Sequence, residues 1–273
     1  MENEERIKRG RMNTSFLVAE IRAQIGMPYA RYFTSFMGKM PYLIGRLMGI
    51  GKEDQRAHIQ KRADLVKSFR KALIKYQPDQ VIDLGAGGST YGLEWARNNP
   101  DGTYVEIDLP EVCEWKKRKI ESTEGILKCS NHHIVPVNLL SDDLYSQVSP
   151  YLENGKRTMV IAEGLTVHLD PNEHNILTKN VQNCLRNLGG GLYVSHDINL
   201  QRFMDLPKGE RVLNLFGFLF KGRLKGHFDE QTPFEYFSKR GFTGIRQASE
   251  YRGLENRIDD NEVYPTYWME VNA

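Results

Sequence analysis

Short apolar runs alternate with amphipathic stretches from Gln80 to the end of the chain. Short runs rich in Val, Ile and Tyr are typical of buried strands, whereas apolar residues at helical spacing indicate helices. The pattern predicts strands at Val81–Leu84, Thr103–Ile107, His133–Val137, Thr158–Ala162, Gly191–Ser195, Phe242–Gln247 and Val263–Glu270. It predicts intervening helices at Thr90–Asn98, Pro110–Ser122, Asp142–Val148 and Pro171–Leu188. The alternation indicates an α/β fold with a mostly parallel, doubly wound sheet of seven strands.

The last two predicted strands lie close together, with a connection too short for a helical crossover. They are therefore expected to form an antiparallel hairpin at one edge of the sheet. Between the fifth and sixth strands lies an insertion, 199–228, that contains the most apolar run of the chain, Val212 to Phe220. We interpret it either as a lid over a substrate pocket or as a buried core helix, and the pattern favours neither.

Upstream of the first strand the pattern is helical. A long helix is predicted over Glu53–Tyr76, and residues 1–52 are expected to form a helical cap on a single domain that spans 1–273. Short helices in this cap are expected to break at Gly26, Pro28, Gly38, Pro41 and Gly45. Arg62 lies on the apolar stripe of the long helix, so its guanidinium needs a buried partner or a route to solvent.

The composition restricts the classes of molecule that the protein is expected to bind. The 37 basic and 35 acidic residues leave a net charge of +2, which gives no electrostatic reason to expect nucleic acid or an anionic membrane. Three scattered cysteines do not suggest a disulfide framework, and the polar start does not resemble a signal peptide. We expect a soluble, cytoplasmic protein. Cys129, His132 and His133 are too few and too close together to predict a zinc site.

A glycine loop follows the first predicted strand directly. Glycines at Gly85, Gly87 and Gly88 allow a tight turn and a close approach to a ligand. Asp83 beside the loop suits a cationic ligand group, such as an amino acid ammonium, better than a diphosphate. Asp108 ends the second strand, where a carboxylate can accept hydrogen bonds from ribose hydroxyls. The alternative is an ordinary turn with two solvated carboxylates.

Two longer segments carry a family resemblance. Val81 to Gly87 followed by Tyr104 to Val112, and Ile161 to Leu169 with its Glu-Gly-Leu start, resemble the leucine carboxyl methyltransferase family. The Glu-x-Asp-x-Pro pattern is followed by a lysine, Lys116 or Lys117, as in that family. The bacterial tetracenomycin-type polyketide O-methyltransferases are the branch it resembles most. The resemblance implies the Rossmann-like fold of class I methyltransferases and S-adenosylmethionine as cofactor, with S-adenosylhomocysteine as product.

The resemblance also implies a set of site residues. It places an arginine for the cofactor carboxylate at Arg62 and a ribose ligand at Asp108, and Asn138 stands where the family has Asp. The full set implied to contact the cofactor is Arg62, Asp83, Gly85, Ala86, Gly87, Asp108, Leu109, Asn138, Leu139 and Glu163. His168 stands where the family usually has tyrosine, which leaves its role open.

Three functions follow as hypotheses. The first is an O-methyltransferase that acts on a carboxylate or a hydroxyl of a small, polyketide-like metabolite. A carboxylate needs no base, whereas a hydroxyl does, and His168 or His196 near the strand ends can supply one. The second is a nicotinamide-dependent oxidoreductase, which Thr90 disfavours because it replaces the third glycine of the dinucleotide motif. The third is a non-catalytic relative that only binds the cofactor.

Overall fold

The computed structural model describes residues 14–220, 224, 232–248, 253–255 and 263–273. The predicted cap and lid lie partly outside these ranges, at 1–13 and at 221–223 and 225–228. Within the described ranges no helix is both long enough and apolar enough to span a membrane.

Eight strands form one sheet in the order β3-β2-β1-β4-β5-β8-β6-β7. The strands are β1 (Gln80–Leu84), β2 (Thr103–Asp108), β3 (His132–Pro136), β4 (Thr158–Ala162), β5 (Gly191–His196), β6 (Thr243–Ala248), β7 (Gly253–Glu255) and β8 (Thr266–Val271). The first five pair in parallel. β8 pairs antiparallel with both β5 and β6. The predicted, mostly parallel sheet with antiparallel C-terminal strands is thus confirmed.

The C-terminal strands differ from the prediction in one detail. The segment between β6 and β8 contains a further short strand, β7, which pairs antiparallel with β6. The hairpin partner β8 lies between β5 and β6 rather than at the edge. Burial explains this position, because β8 carries Tyr267, Trp268 and Met269, all of which are buried. An apolar strand of this kind is more stable inside the sheet than at its edge.

Ten α-helices surround the sheet in the described ranges. They are α1 (14–24), α2 (Phe36–Leu47), α3 (Lys52–Tyr76), α4 (Tyr91–Asn98), α5 (Pro110–Glu121), α6 (Leu144–Val148), α7 (Pro171–Asn187), α8 (Leu200–Met204), α9 (Gly209–Phe220) and α10 (Pro233–Ser238). The predicted long helix is α3. It begins where Gly51 N donates to Asp54 Oδ2 at 2.8 Å, and it ends at Gln77, whose φ is 49°.

The predicted breaks inside residues 36–47 are wrong. Gly38, Pro41 and Gly45 all lie within the continuous helix α2. The glycines serve packing instead, since a Cβ on Gly38 would lie 2.5 Å from Phe16 O of α1 and one on Gly45 would lie 3.3 Å from Leu215 of α9. Tertiary contacts with α1 and α9 thus outweigh the weak helix propensity of glycine and the hydrogen bond that proline cannot donate.

Both faces of the sheet are covered. Alternate residues of a strand point to opposite faces, so Ile82 belongs to one apolar cluster and Val81 to the other. The first cluster includes Leu177 of α7 and the second includes Phe69 of α3. This two-sided burial explains the continuous apolar runs of the strands. The carboxyl ends of the parallel strands meet at one edge of the sheet, where open α/β folds bind their ligands.

Candidate functional site

The glycine loop joins β1 to α4 and lies under the N-terminal helix α1. Gly85 and Gly87 have φ angles of 64° and 48°, which favour glycine over any other residue. A Cβ on Gly87 would lie 3.0 Å from Ser15 Oγ, and one on Gly88 would lie 2.8 Å from Ala19 Cβ. The loop is therefore held between the end of β1 and α1, so that α1 forms one wall of the site.

Asp108 is bound to the glycine loop. Its Oδ2 accepts from Gly87 N at 2.7 Å, and its Oδ1 accepts from Leu109 N at 2.8 Å. Burial raises the pKa of this carboxyl to about 6, against the opposing effect of the two backbone amides. A carboxylate has about four lone-pair positions, so it retains sites for the hydroxyls of a ligand.

Asp83 lies beneath the loop rather than in the site. Its side chain is 2% exposed and accepts from the Tyr104 hydroxyl at 3.1 Å. Burial, together with the nearby Glu106 carboxylate, raises the pKa of Asp83 to about 8. Asp83 does not line the cavity at the strand ends, whereas the other residues that the resemblance implied all do. The Asp83 side chain therefore links β1 to β2 through its hydrogen bond with Tyr104.

Arg62 meets Glu163 at the carboxyl end of β4. Arg62 Nη2 lies 2.8 Å from Glu163 Oε1, and Arg22 Nη2 of α1 lies 3.1 Å from the same oxygen. Burial alone would raise the pKa of Glu163, but the two guanidiniums lower it to about 2. Two cations thus share one carboxylate. Arg62, on the apolar stripe of α3, therefore has a buried partner and does not extend to solvent.

His196 ends β5 beside this cluster. Gly164 N donates to its Nδ1 at 3.3 Å, so Nδ1 is the acceptor nitrogen and Nε2 carries the hydrogen. Burial and the Arg62 charge lower the pKa of His196 to about 3. A histidine whose lone pair already accepts a backbone hydrogen bond is poorly suited to take a proton from a substrate.

Asn138 and Leu139 follow β3 and form a turn. The Asn138 side-chain oxygen accepts from Leu140 N at 3.2 Å, and Asn180 Nδ2 donates to Leu139 O at 3.2 Å. Asn138 is exposed and Leu139 is buried, yet both line the same cavity. The turn therefore presents one polar edge and one apolar face to a ligand.

A cavity of about 600 Å³ connects these residues. Its walls come from α1, α2, α3, the glycine loop, the ends of β2 to β5, and α9. Away from the strand ends the walls are mainly apolar and include Ile50, Ile59, Val167, Ile198, Phe203, Val212, Leu215, Phe216, Leu219 and Tyr264. The cavity thus has a polar end at the sheet and an apolar end under the helices.

Helix α9 covers the apolar end. Leu215 is 7% exposed and lines the cavity, whereas the polar residues Arg211 and Asn214 are exposed to solvent. α9 is therefore amphipathic and superficial, which favours the lid interpretation over a buried core helix. Phe216 stacks on His168, with 5.8 Å between ring centroids and 13° between ring planes. His168 thus lies between the Glu163 segment and the lid.

A model of a known protein family matches residues 7–182, which is more than half of the chain. The model describes the leucine carboxyl methyltransferases. The chain belongs to that family. The resemblance inferred from the glycine loop, the Glu-x-Asp-x-Pro segment and the Glu163 segment is thereby confirmed.

Individual relatives are more distant. Two mycobacterial proteins, from Mycobacterium ulcerans and Mycobacterium marinum, are each 34% identical to this family member over 105 residues and are named "Putative S-adenosyl-L-methionine-dependent methyltransferase". That match covers 37% of the chain and 33% of each relative, so the chain spans about a third of the curated relatives it matches.

Solved structures extend the comparison to the whole fold. A DUF574 family protein from Streptomyces avermitilis is 13% identical, with a TM-score of 0.62 over 94% of this chain and 97% of its own. A "putative methyltransferase" from Thermobifida fusca YX is 13% identical, with a TM-score of 0.61 over 97% and 94%. These likenesses show the fold alone, which is the predicted class I methyltransferase fold.

Two features of the family member were missed or left open by sequence reasoning. Arg22 received no role from the sequence, because its neighbour in space, Glu163, is remote in sequence. The lysine of the Glu-x-Asp-x-Pro pattern is Lys116, which is 2% exposed, contacts the Glu106 carboxylate, and donates to Ser89 O at 2.6 Å. Lys117 is exposed. Lys116 falls on the apolar face of the predicted helix, and this position was the sequence signal for its burial.

Proposed function

We propose that this protein binds S-adenosylmethionine at the polar end of the cavity and transfers its methyl group to an oxygen of a small metabolite. The observation that carries the proposal is the charge imbalance at the end of β4. Arg22 and Arg62 are two cations that share one buried carboxylate, Glu163. Such a cluster accommodates a second carboxylate, and bidentate guanidinium pairing suits that of an amino acid.

A buried donor supports this fit. Arg22 Nε has no hydrogen-bond partner among the described residues, although Arg22 is 2% exposed. An unsatisfied buried donor costs about 1–3 kcal/mol, so a ligand that accepts from this region recovers stability. The methionine carboxylate beside Arg22 and Arg62 provides such an acceptor, and Glu163 remains available for the ammonium group.

The remaining polar and apolar groups fit an adenosine. Asp108, already aligned by Gly87 N and Leu109 N, accepts hydrogen bonds from the ribose hydroxyls. Leu109 and Leu139 provide apolar surfaces for the adenine, and Asn138 provides a polar edge. The same arrangement disfavours a nicotinamide dinucleotide, because a diphosphate at the loop would lie close to the Asp108 carboxylate.

The cofactor and the protein contribute different parts of the reaction. When bound, the sulfonium supplies an activated methyl group and leaves as a neutral thioether. The residues of this chain align the acceptor and exclude water, which are the main requirements of an in-line displacement. α1 closes the site over the glycine loop, while α9 and His168 lie over the acceptor end. The polyketide-like nature of the acceptor remains part of this proposal, and it is supported by the apolar walls of that end.

Titration with two ligands tests the binding mode. S-adenosylhomocysteine carries the amino acid group, whereas methylthioadenosine has the same nucleoside without it. We expect Arg62→Met to weaken S-adenosylhomocysteine binding by about 1–3 kcal/mol and to leave methylthioadenosine unchanged. Asp108→Ala should weaken both ligands by a similar amount. NAD serves as the control ligand and should not bind.

The outcomes separate the candidate functions. If the wild-type protein binds neither thioether, the methyltransferase proposal is wrong. If both bind but radiolabelled S-adenosylmethionine transfers no methyl to any compound of a metabolite extract, the protein is a non-catalytic relative. If Arg62→Met affects both ligands equally, the arginine acts on the fold and not on the amino acid group.

A further inference from the structure

Helix α2 has an apolar side that faces solvent. Its buried side carries Gly38 and Gly45, which pack against α1 and α9. Phe36 and Gly38 are two positions apart, which corresponds to about 200° of rotation around the helix, so they lie on opposite sides. Phe36, which is 73% exposed, begins a stripe that continues through Leu43 and Leu47, which are 52% and 82% exposed. α2 therefore presents apolar residues outward, the reverse of an ordinary surface helix.

The exposed apolar residues of α2 form a group and are not scattered singly. The described residues expose eleven large apolar side chains, and five of them lie between positions 36 and 48: Phe36, Met37, Leu43, Leu47 and Met48. Isolated exposed apolar residues are normal, whereas a contiguous group marks a binding surface. The packing of α2 does not require this group, because the opposite side of the helix already contacts α1 and α9. The outward side chains are therefore a candidate binding surface.

Phe218 of α9 extends this surface. A Cβ on Gly45 would lie 3.3 Å from Leu215 Cδ2. Arg211 Nη1 donates to Met48 O at 3.3 Å, so Arg211 and Leu215 share the side of α9 that faces α2. Phe218 follows Leu215 by three positions, which places it near that side, and it is 74% exposed. Phe218 therefore lies along the outer edge of the α2–α9 contact. We call the four residues Phe36, Leu43, Leu47 and Phe218 the α2–α9 apolar surface.

The charges of α2 are positive. Its twelve residues include Lys39 and Arg46 but no acidic residue. Both cations are exposed, and their spacing of seven positions, about two turns, brings them onto one side of the helix, next to the apolar stripe. Exposed Arg211 adds a third cation where α9 meets α2. The α2–α9 apolar surface therefore has a cationic edge.

The neighbouring acidic residues belong to other elements. Glu53 and Asp54 lie in the first turn of α3, where Asp54 Oδ2 accepts from Gly51 N at 2.8 Å. Glu210 lies in the first turn of α9, about 100° around that helix from Arg211. On α2 itself, the apolar stripe is bordered by cations alone.

This combination favours an anionic lipid surface over another protein surface. Pairing of two copies through α2 would gather Lys39 and Arg46 of each copy in one interface, with no acidic residue of α2 to neutralise them. An acidic protein would also need hydrogen-bond partners, since protein interfaces contain roughly one hydrogen bond per 100–200 Å². The side chains of the α2–α9 apolar surface have no donor or acceptor, and the acyl chains of lipids need none. The net charge of +2 gave no reason to expect a lipid partner, because it averages over the whole chain.

We propose that the α2–α9 apolar surface binds the interface of an anionic lipid bilayer. Phe36, Leu43 and Leu47 enter the boundary between headgroups and acyl chains, while Lys39 and Arg46 contact the lipid phosphates. With twelve residues, about 18 Å in length, α2 is too short to cross a bilayer and lies parallel to it. None of these five residues lines the cavity, so the inference goes beyond the proposed methyl transfer and does not rest on it.

Two vesicle compositions test the partner. One consists of phosphatidylcholine alone, and the other contains one quarter phosphatidylglycerol. We expect the full chain, without cofactor, to co-sediment with the anionic vesicles and to bind the neutral ones at least tenfold more weakly, since each basic residue near an anionic bilayer contributes about fivefold. High salt should weaken binding to the anionic vesicles, because it screens the lipid charge. Equal binding to both compositions, or binding to neither, overturns the inference.

Variants of exposed residues test the surface. We expect the double variant Phe36→Gln and Leu47→Gln to bind anionic vesicles at least tenfold more weakly, because it removes two large apolar side chains from the contact. Lys39→Gln with Arg46→Gln should also lose at least tenfold. Ile74→Gln is the matched control, since Ile74 of α3 is 75% exposed, and it should stay within about twofold of the wild type. Wild-type vesicle affinity in the Phe36 and Leu47 variant overturns the assignment. The preference of the wild type for anionic vesicles needs no variant and decides the partner even if a variant does not fold.

A tryptophan at position 47 reports insertion directly. The native tryptophans Trp95, Trp115 and Trp268 are all buried, so they form a constant background. We expect the emission of Leu47→Trp to shift to shorter wavelength when anionic vesicles are added, because the indole leaves water, and the emission of Ile74→Trp to stay unchanged. An unshifted Leu47→Trp emission in a protein that co-sediments would show that another surface makes the contact, which overturns the inference.

Sedimentation without lipid tests the alternative occupant, a second copy of the chain. A dimer that Leu47→Gln dissociates, together with no vesicle binding, would assign the surface to self-association and overturn the inference. The outcome is also separable from the proposed function. If the anionic vesicles bind and S-adenosylhomocysteine does not, the proposed function fails and the lipid inference stands.

Discussion

Arg62 and Glu163 lie 101 residues apart in the chain, yet their side chains meet at 2.8 Å in the interior. Arg62 comes from α3, which precedes the sheet, and Glu163 follows β4 in its middle. Arg22 joins the same carboxylate oxygen from α1. One buried acidic group therefore connects the N-terminal helices to the sheet at the position where we propose the cofactor carboxylate binds.

Removal of the Glu163 charge should destabilise the protein. In Glu163→Gln two buried guanidiniums lose their shared anion, and breaking a buried ion pair costs about 3–5 kcal/mol. The free energy of unfolding, measured by urea titration, should fall by about that amount. Saturating S-adenosylhomocysteine should restore part of it, because the ligand carboxylate replaces the lost partner.

Exposed Glu121→Gln is the control for Glu163→Gln and should change stability by less than about 0.5 kcal/mol. A free energy of unfolding of Glu163→Gln equal to that of the wild type would contradict a stabilising role for the Arg22–Arg62–Glu163 cluster.

Cofactor affinity should depend on pH through Asp108. Burial raises the pKa of this carboxyl to about 6, so it is ionised above pH 6 and becomes protonated as the pH falls through 6. Ribose hydroxyls bind the ionised form, and S-adenosylhomocysteine affinity should therefore fall by up to about tenfold between pH 7 and pH 5. Calorimetry at both pH values measures the change. Asp108→Asn should bind weakly at both, and a wild-type affinity that rises on acidification would show that Asp108 does not hold the ribose.

Lys116 and Lys117 are adjacent residues, but we expect only the substitution of Lys116 to lower stability. Lys116 is buried against the Glu106 carboxylate, which also lies 3.0 Å from His132 Nε2. We expect Lys116→Met to lower the free energy of unfolding by about 3–5 kcal/mol, because Glu106 would keep a buried charge without its main partner.

Exposed Lys117→Met is the matched control for Lys116 and should stay within about 0.5 kcal/mol of the wild type. Guanidinium titration of the two variants measures the difference. Equal stabilities would mean that the buried pair contributes nothing to folding.

Much of the fold was predictable because local patterns determine it. β4 begins at Thr158 and ends at Ala162 as predicted, and α3 differs from its prediction by one residue. These elements have apolar positions with a single clear period and are bounded by turn residues. α2 was mispredicted because its glycines have low helix propensity, and the contacts that compensate come from α1 and α9, which are remote in sequence.

The clustering of residues at the strand ends was predictable where a motif is contiguous. The glycine loop, Asp108 and Glu163 each follow a strand, and the carboxyl ends of parallel strands meet at one edge. Asp83 does not line the cavity, because the side chains of consecutive strand residues point to opposite faces of the sheet and that of Asp83 accepts a hydrogen bond from Tyr104 of β2.

The sequence by itself determined the class of fold, the family and most of the residues that line the polar end of the cavity, because these depend on periodicity and on motifs that lie within a few residues of each other. Only the tertiary structure decided which charges meet. It paired Arg22 and Arg62 with Glu163, and it buried Lys116 instead of Lys117. The physical reason is that ion pairs and tautomers depend on distances of a few ångströms between residues far apart in the chain, and such distances exist only after the sheet and its helices have packed.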